Sequence, residues 1–447
     1  MSKSMEECPL VFKFGGAVLR SLNGFRVIGQ RIREHSNGQP LLVVVSALGQ
    51  VTRELERAAF AAEAGQEETA LEIASYLVKH HQLYAEQLLG GKHQRTVAEL
   101  LAHTAAQLEG YLRGVRITGE LTPRTLDAIR AFGERWALAL VEAFLQEQGL
   151  DVVSVDATEL LCTDAQHGKA QPLVERTAQN VEYRLRPLLQ PGCIVLTQGF
   201  VARSTRGDIT TMGQESSSLT AVLLAGLVGA REVQLWTDVA GIRECDPALV
   251  PEACLIPQLS YAQAQEIAHA GLRLLHPRMV ELAERWGLCL RIRSAFVPEL
   301  GETVVSTVAG QLVPLVVSRE QLRLLAFIPG EVPETVRAQP VDGGAILARW
   351  EEAERVWVLI SSDIPLAASV SPGALVTVLY TTRQQRARLV ELCGQLLQEG
   401  IPMQVWGCMQ RLRCFVPEEY RGNVVQSFWS QLRRESLNCT KVQEPAS

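Results

Sequence analysis

The chain has 447 residues, of which 47% are hydrophobic and 21% charged, and this balance supplies a sizeable core and excludes disordered, collagen-like and coiled-coil proteins. Its 43 Lys and Arg against 49 Asp and Glu give a net charge of -6, which offers no basic surface for nucleic acid or for an anionic membrane. The apolar runs are shorter than the roughly 18 to 20 residues of a membrane helix, so we expect a soluble protein of two or three domains.

The N-terminal residues and the cysteine pattern indicate the cellular compartment of the protein. Residues 1–16 contain no long apolar stretch of the kind found in secretory signals. The ten cysteines form no CxxC pair and match neither a zinc ribbon nor a small disulfide framework. We therefore expect reduced thiols, no metal held by the protein itself, and a cytoplasmic location.

Short aliphatic or β-branched segments recur through the first 300 residues and predict strands, and helical patterns of ten or more residues lie between them. The predicted strands cover residues 11–16, 41–47, 152–156, 193–200 and 233–238. This alternation predicts an α/β fold with a mainly parallel sheet sandwiched by helices, in which ligands bind at the carboxyl ends of the strands.

Several helix boundaries can be read directly. Residues 70–115 predict an inserted helical hairpin. Ser260 and Gln263 form a capping box for a helix that Gly271 ends, and Pro277 begins another helix.

The pattern changes near residue 305. A strand is predicted over 316–330, and residues 374–434 then read as strand, helix, strand, strand and helix, which is typical of a ferredoxin-like α+β unit. We therefore predict two regions, 1–305 and 306–447.

A lysine and two glycines at the end of the first predicted strand form a candidate phosphate site. Lys13 supplies a positive charge, and Gly15 and Gly16 allow backbone N–H groups to approach phosphate oxygens. The alternative is an ordinary strand-to-helix turn with a surface lysine. Neither a Walker A loop nor a GxGxxG fingerprint occurs in the sequence.

Hydroxyls and one carboxylate form the candidate acceptor side. Ser46 and Thr52 follow the second strand, where they bind a ligand or merely cap a turn. We place Glu134 at the start of an apolar helix, where it stabilises the helix dipole or receives an ammonium group. The serines at 216–218 precede an apolar helix and serve as an anion site or only as a cap.

Thr237 and Asp238 end the last predicted strand of the sheet, and Asp246 follows in the next loop. A strand-end acid of this kind suits a nucleotide contact, although such loops are often simple turns. Arg273 could face a phosphate or be a solvated helix-end cation.

Ordered segments then carry a family resemblance, among them KFGG at 13–16, VVVSALGQVT at 43–52, LTPRTLDAIRAFGER at 121–135, LWTDVAGIRECDP at 235–247 and AGLRLLHPRMVE at 270–281. These segments resemble the aspartokinases of the amino-acid kinase superfamily over about 290 residues. The remaining residues resemble, more weakly, the tandem ACT regulatory domains that follow in those enzymes, and they imply a homodimer formed through ACT-like domains.

The resemblance implies ATP-dependent phosphorylation of the side-chain carboxylate of L-aspartate to 4-phospho-L-aspartate, the first step toward lysine, threonine and methionine, with Mg²⁺ carried by the nucleotide. It also implies roles for individual residues. Lys13, Gly15 and Gly16 would hold the transferring phosphate. The acceptor side would comprise Ser46, Thr52, Glu134, Gln214, Ser217 and Ser218, and the nucleotide side Thr237, Asp238, Arg243, Asp246 and Arg273.

The substrate loop departs from the family pattern. Where the family reads LGRGGSD, this chain reads MGQESSS, so that Gln214 replaces the substrate-binding arginine and Glu215 replaces a glycine. Losing a bidentate guanidinium removes on the order of 2 to 4 kcal/mol of charge-assisted bonding. A different carboxylate acceptor, or a non-catalytic nucleotide-binding regulator, therefore stays open as an alternative.

Overall fold

The computed structural model describes residues 8–35, 38–213, 215–308, 310, 314–327, 346–352, 355–361, 370–408 and 411–441. The chain divides into two compact units, the first formed by 1–241 and 276–308 and the second by 242–275 and 309–447. The division after residue 308 lies close to the boundary expected at 305. Residues 242–275 group with the second unit, although the sequence placed them in the first region.

The first unit is built on a largely parallel sheet. Its strands run in the order β3-β5-β2-β1-β8-β10-β11, and every adjacent pair is parallel except β10 with β11. A small sheet adds β4, β6 and β7. The strands are β1 Leu10–Phe14, β2 Leu41–Val45, β3 Val152–Ser154, β4 Cys162–Thr163, β5 Ile194–Gln198, β6 Val201–Ser204, β7 Ile209–Thr211, β8 Glu232–Thr237, β10 Cys289–Ser294 and β11 Glu302–Ser306.

Helices cover both faces of this sheet. Phe12, Phe14 and Val43 pack into one core cluster with helix α6, while helix α9 contacts β1, β2 and β8. The helices are α1 Gly16–Leu19, α2 Leu22–His35, α3 Val51–Glu63, α4 Glu67–Leu88, α5 Gly91–Thr118, α6 Pro123–Glu147, α7 Ala157–Leu160, α8 Val174–Asn180, α9 Ser216–Val228 and α11 Pro277–Trp286. The predicted sandwich and the predicted helical hairpin, here α4 and α5, are both confirmed.

Local hydrogen bonds determine where helix α6 begins and how it packs. Helix α6 begins where the Thr122 hydroxyl accepts a hydrogen bond from the N–H of Thr125 at 3.1 Å, with Pro123 at its first position. Further along, the indole N–H of Trp136 donates to the hydroxyl of Thr104 on α5 at 2.8 Å. These contacts fix the inner face of α6.

The second unit is an antiparallel sheet covered by helices. Its six strands run in the order β13-β14-β12-β15-β17-β16. The elements are β9 Gln258–Ser260, α10 Tyr261–Ala270, β12 Leu315–Phe327, β13 Ile346–Glu352, β14 Arg355–Ser361, β15 Val370–Leu379, α12 Arg383–Gln398, β16 Gln404–Cys408, β17 Arg411–Val416 and α13 Arg421–Lys441. The predicted strand-helix-strand-strand-helix order is confirmed, as is the capping box of Ser260.

Within the ranges that the structure describes, no helix is both long and apolar enough to cross a membrane.

The packing of α9 on α11 generates a stability prediction. A Cβ added at Gly226 would lie 2.1 Å from Cε3 of Trp286, so Gly226→Ala must displace the ring. We expect a loss of about 1 to 3 kcal/mol, measured as a lower urea midpoint. The control is Gly110→Ala on α5, whose Cβ would meet nothing within 4 Å and which should stabilise by up to about 1 kcal/mol. Equal midpoints for the two variants would contradict this packing.

Candidate active site

Lys13 folds back over the turn that follows β1. The N–H of Gly15 donates to the carbonyl of Trp236 at the end of β8 at 3.1 Å, and a Cβ at Gly15 would lie 3.3 Å from Nζ of Lys13. The lysine is half-buried. Its ammonium group therefore lies beside the glycine turn, where the sequence predicted it.

The neighbouring glycine brings two strand-end loops into contact. A Cβ at Gly16 would lie 2.6 Å from the carbonyl oxygen of Ala47, a distance that no side chain tolerates. The N–H of Gly49 donates to the carbonyl of Gly16 at 3.0 Å. Gly16 thus joins the loop after β1 to the loop after β2.

The N-terminus of α9 reaches the same edge of the sheet. The hydroxyl of Ser217 donates to that of Ser46 at 3.2 Å, so these two predicted acceptor-side residues do meet. A Cβ at Gly199, just after β5, would lie 2.5 Å from Cα of Ser217, while the Gly199 N–H donates to the carbonyl of Val45. Ser218 follows at the same helix end and is buried.

Glu134 is deeply buried on α6. The expectation that it starts the helix is wrong, because α6 begins at Pro123 and Glu134 lies near the middle of its 25 residues. Burial raises the pKa of Glu134 to about 8. Hydrogen bonds from the backbone, including that of Ala47, and from Thr52 lower the pKa in part, as does the charge of Arg130. Among the described atoms, its Oε2 is buried and has no hydrogen-bond partner.

The charge of Lys13 is also perturbed. Burial lowers the pKa of Lys13 to about 8, and the nearby carboxylate of Glu215 raises it in part. Glu215 precedes α9 with a φ of 61°, in the left-handed region that disfavours a non-glycine residue. The carboxylate that replaces the family glycine is thus close enough to Lys13 to affect its charge.

The predicted nucleoside residues lie at the adjacent strand end. Lys13 pairs with Leu235 and Phe14 with Trp236 in the parallel ladder between β1 and β8, so the lysine turn and the loop at Thr237 leave the same edge of the sheet. The Thr237 hydroxyl donates to Asp238 at 3.2 Å, and Arg20 pairs with Asp238 at 3.5 Å. The two segments therefore converge.

Three other residues that the sequence predicted for the nucleotide side belong to the second unit. Arg243 donates from a guanidinium nitrogen to the carbonyl of Ala253 at 2.7 Å, Asp246 accepts from the N–H of Ala248, and Arg273 is exposed in a turn. Gln214 lies outside the described residues.

Sequence reasoning missed one buried carboxylate, Asp127. It accepts hydrogen bonds from Thr211, from Gly168 and from His167. A usable signal was present, because Asp127 precedes Glu134 by seven residues in the segment that carried the resemblance, and seven residues are two helical turns. Across the described ranges, no group of three or more His, Cys, Asp or Glu side chains could hold a metal ion.

Comparison with known proteins agrees with this geometry. The model of the amino acid kinase family matches residues 9–294, well over half of the chain. The chain belongs to the amino acid kinase family. The expected resemblance to aspartokinases within that family is also confirmed, since the aspartokinase of Thermus thermophilus is 32% identical over 244 residues, covering 54% of this chain and 56% of that protein.

Other relatives extend the likeness at lower identity. The bifunctional aspartokinase/homoserine dehydrogenase 2 of Arabidopsis thaliana is 27% identical over 64% of this chain and 31% of its own length. The chain thus spans between about a third and just over half of the length of the curated relatives described here. E. coli aspartokinase III, solved with aspartate and ADP, has a TM-score of 0.79 at 23% identity and covers 95% of this chain and 100% of its own, which shows the shared fold.

The half-buried Lys13 predicts a trade-off between charge and stability. The pKa of Lys13 is about 8 in the folded protein, against an ordinary value of 10.5. Between these two values the unfolded chain binds a proton that the folded protein does not, so the free energy of unfolding falls as the pH is lowered from 10.5 to 8 and the full loss remains below pH 8. Lys13→Met should therefore stabilise the protein at pH 7 by roughly 1 to 3 kcal/mol, discounted for partial exposure, and the gain should vanish as the pH rises through 10.5.

Urea midpoints measured between pH 7 and pH 10.5 test this sign, and Lys92→Met on the exposed face of α5 is the control. The titration of Glu134 is common to wild type and both variants and so cancels. A Lys13→Met protein that is less stable than wild type at pH 7 would show that the ammonium is well solvated or paired.

Proposed function

We propose that this amino acid kinase transfers the terminal phosphoryl group of ATP to the side-chain carboxylate of L-aspartate and so forms 4-phospho-L-aspartate. One observation carries the proposal: Lys13, over the glycine turn after β1, lies at the same sheet edge as the Ser46 to Ser217 contact. Curated relatives named aspartokinase support the choice of acceptor, as does the fold shared with E. coli aspartokinase III, solved with aspartate and ADP.

On the phosphate side we assign the transferring group to Lys13, Gly15 and Gly16. The aspartate carboxylate is already a nucleophile, so the barrier falls mainly through alignment of the reactants and neutralisation of phosphoryl charge. Lys13, with its pKa lowered to about 8, is charged near pH 7 but poorly solvated, and a bound anion would supply the negative charge that compensates this desolvation.

On the acceptor side we assign the α-ammonium group to Glu134, whose unpartnered Oε2 is buried and polar. Binding a cation there would offset the desolvation that keeps this carboxyl group protonated. Ser46, Thr52, Ser217 and Ser218 would contact the rest of the amino acid, and Gln214 stands where the family has its arginine.

On the nucleotide side we assign the nucleoside to Thr237 and Asp238, which lie at the end of β8 beside the lysine turn. The residues fit Mg-ATP, because the glycine turn leaves space that a Cβ would fill and Lys13 supplies a cation beside it. The Mg²⁺ ion would be held by the nucleotide and would neutralise phosphate charge. We further propose a cytoplasmic homodimer formed through the ACT-like unit.

The proposal predicts an assay result. Purified protein with Mg-ATP and L-aspartate should form an acyl phosphate that hydroxylamine traps as the hydroxamate. Lys13→Ala should lower kcat by about 100-fold or more, since a preorganised cation is lost from the transition state. No hydroxamate above background would refute the proposal, and product from another carboxylate instead of aspartate would identify a different acceptor.

Glu215 predicts a gain of function. Its carboxylate stabilises the free ammonium of Lys13 and competes with phosphate, so Glu215→Gly should lower the KM for ATP by about fivefold, the effect of roughly 1 kcal/mol. Glu215→Gln is the matched variant, because it removes the charge and keeps the strained φ of 61°. The two variants should share the lower KM, and only Glu215→Gly should also raise the urea midpoint. An unchanged KM in both would place Glu215 outside the phosphate site.

A further inference from the structure

Asp127 gathers several donors at one buried carboxylate. Its side chain has no solvent exposure. Oδ1 accepts from the Thr211 hydroxyl at 2.6 Å, and Oδ2 accepts from the Thr211 N–H at 3.1 Å and the Gly168 N–H at 2.9 Å, with His167 Nδ1 at 3.0 Å. Arg130 adds an ion pair at 3.6 Å. Such a carboxylate is strongly compensated, and an Ala in its place would leave several buried donors without partners.

These donors belong to two separate segments, the end of strand β7 and the loop 164–171. Thr211 ends β7 and is followed by Met212 and Gly213, the first residues of the connection to α9, while Gly168 and His167 belong to the loop 164–171. The segments also touch each other, because the Ala170 N–H donates to the carbonyl of Thr211 at 3.0 Å and a Cβ at Gly213 would lie 3.7 Å from the carbonyl oxygen of Gly168. Asp127 therefore binds both segments through hydrogen bonds to its carboxylate.

Helix α6 connects this anchor to the acceptor side. Asp127 and Glu134 are seven residues apart and share one helical face. Arg130 lies between them, pairs with Glu56 at 2.7 Å, and acts on the pKa of Glu134. A rigid helix thus sets the distance between the loop anchor and the carboxylate assigned to the ammonium group.

We propose that Asp127 is a positioning residue that fixes loop 164–171 and the end of β7, with Met212 and Gly213 that follow it, relative to Glu134 and so sets the affinity for the amino-acid acceptor. The inference rests on the proposed function for its kinetic consequence and on geometry alone for the anchoring. Asp127 contacts neither ATP nor the acceptor in this assignment. Its effect passes through Thr211 and Gly168.

Two adjacent threonines provide a matched test. Thr210 and Thr211 are both fully buried on β7, and each makes a side-chain hydrogen bond, Thr211 to Asp127 and Thr210 to the Thr163 hydroxyl at 2.7 Å. Thr→Val keeps the shape and removes only the hydroxyl. Thr211→Val should raise the KM for aspartate about 10- to 100-fold at unchanged KM for ATP, because a small displacement of positioning groups is costly. Thr210→Val should leave both values unchanged, and Thr211→Ser should restore the wild-type KM.

A second measurement does not depend on catalysis. Asp127→Asn removes the negative charge that strengthens the hydrogen bonds from the N–H groups of Gly168 and Thr211. Hydrogen exchange at these two amides should therefore accelerate. Exchange in α4 is the control and should not change. An inactive wild type would refute the proposed function, and this exchange comparison would still decide the anchoring. Unchanged exchange at both amides, or an equal rise in the aspartate KM for the Thr210 and Thr211 variants, would overturn the inference.

Discussion

Close backbone contact at one edge of the parallel sheet is the constraint on which the candidate site depends. The loop after β1 meets the loop after β2 only because Gly16 has no Cβ, and the end of β5 accepts the N-terminus of α9 only because Gly199 has none. A methyl group at either position would separate the loops by more than a hydrogen bond tolerates. The Ser46 to Ser217 contact follows from these approaches.

Burial makes the two principal charged groups of the site responsive to ligands. The pKa of Lys13 is lowered and that of Glu134 raised, both to about 8, because each loses solvation that the fold does not fully replace. A bound anion would raise the pKa of Lys13, and a bound cation would lower that of Glu134 and favour its ionised form. The same desolvation costs stability in the free protein, which is typical of sites prepared for charged substrates. Glu215 supplies a partial substitute for the phosphate charge.

The two anchoring systems differ in chemistry. On the side that we assign to the phosphate, glycines and backbone hydrogen bonds hold the loops after β1 and β2 together. On the side that we assign to the acceptor, one buried carboxylate, Asp127, accepts side-chain and backbone hydrogen bonds from Thr211 and Gly168. Glu215, which replaces a glycine of the family pattern, therefore follows a strand end that Asp127 of α6 holds through Thr211.

The sequence by itself determined the strands, the capped helices and the order of elements in the second unit, because periodicity and capping are local properties. It also proposed Lys13, Gly15 and Gly16 as a phosphate site from residue type and position, and that role stays a prediction. Only the tertiary structure placed Glu134 in the middle of α6, revealed the clustering of donors on Asp127 and grouped residues 242–275 with the C-terminal unit. Burial and long-range hydrogen bonds decide those features, and neither follows from neighbours in the sequence.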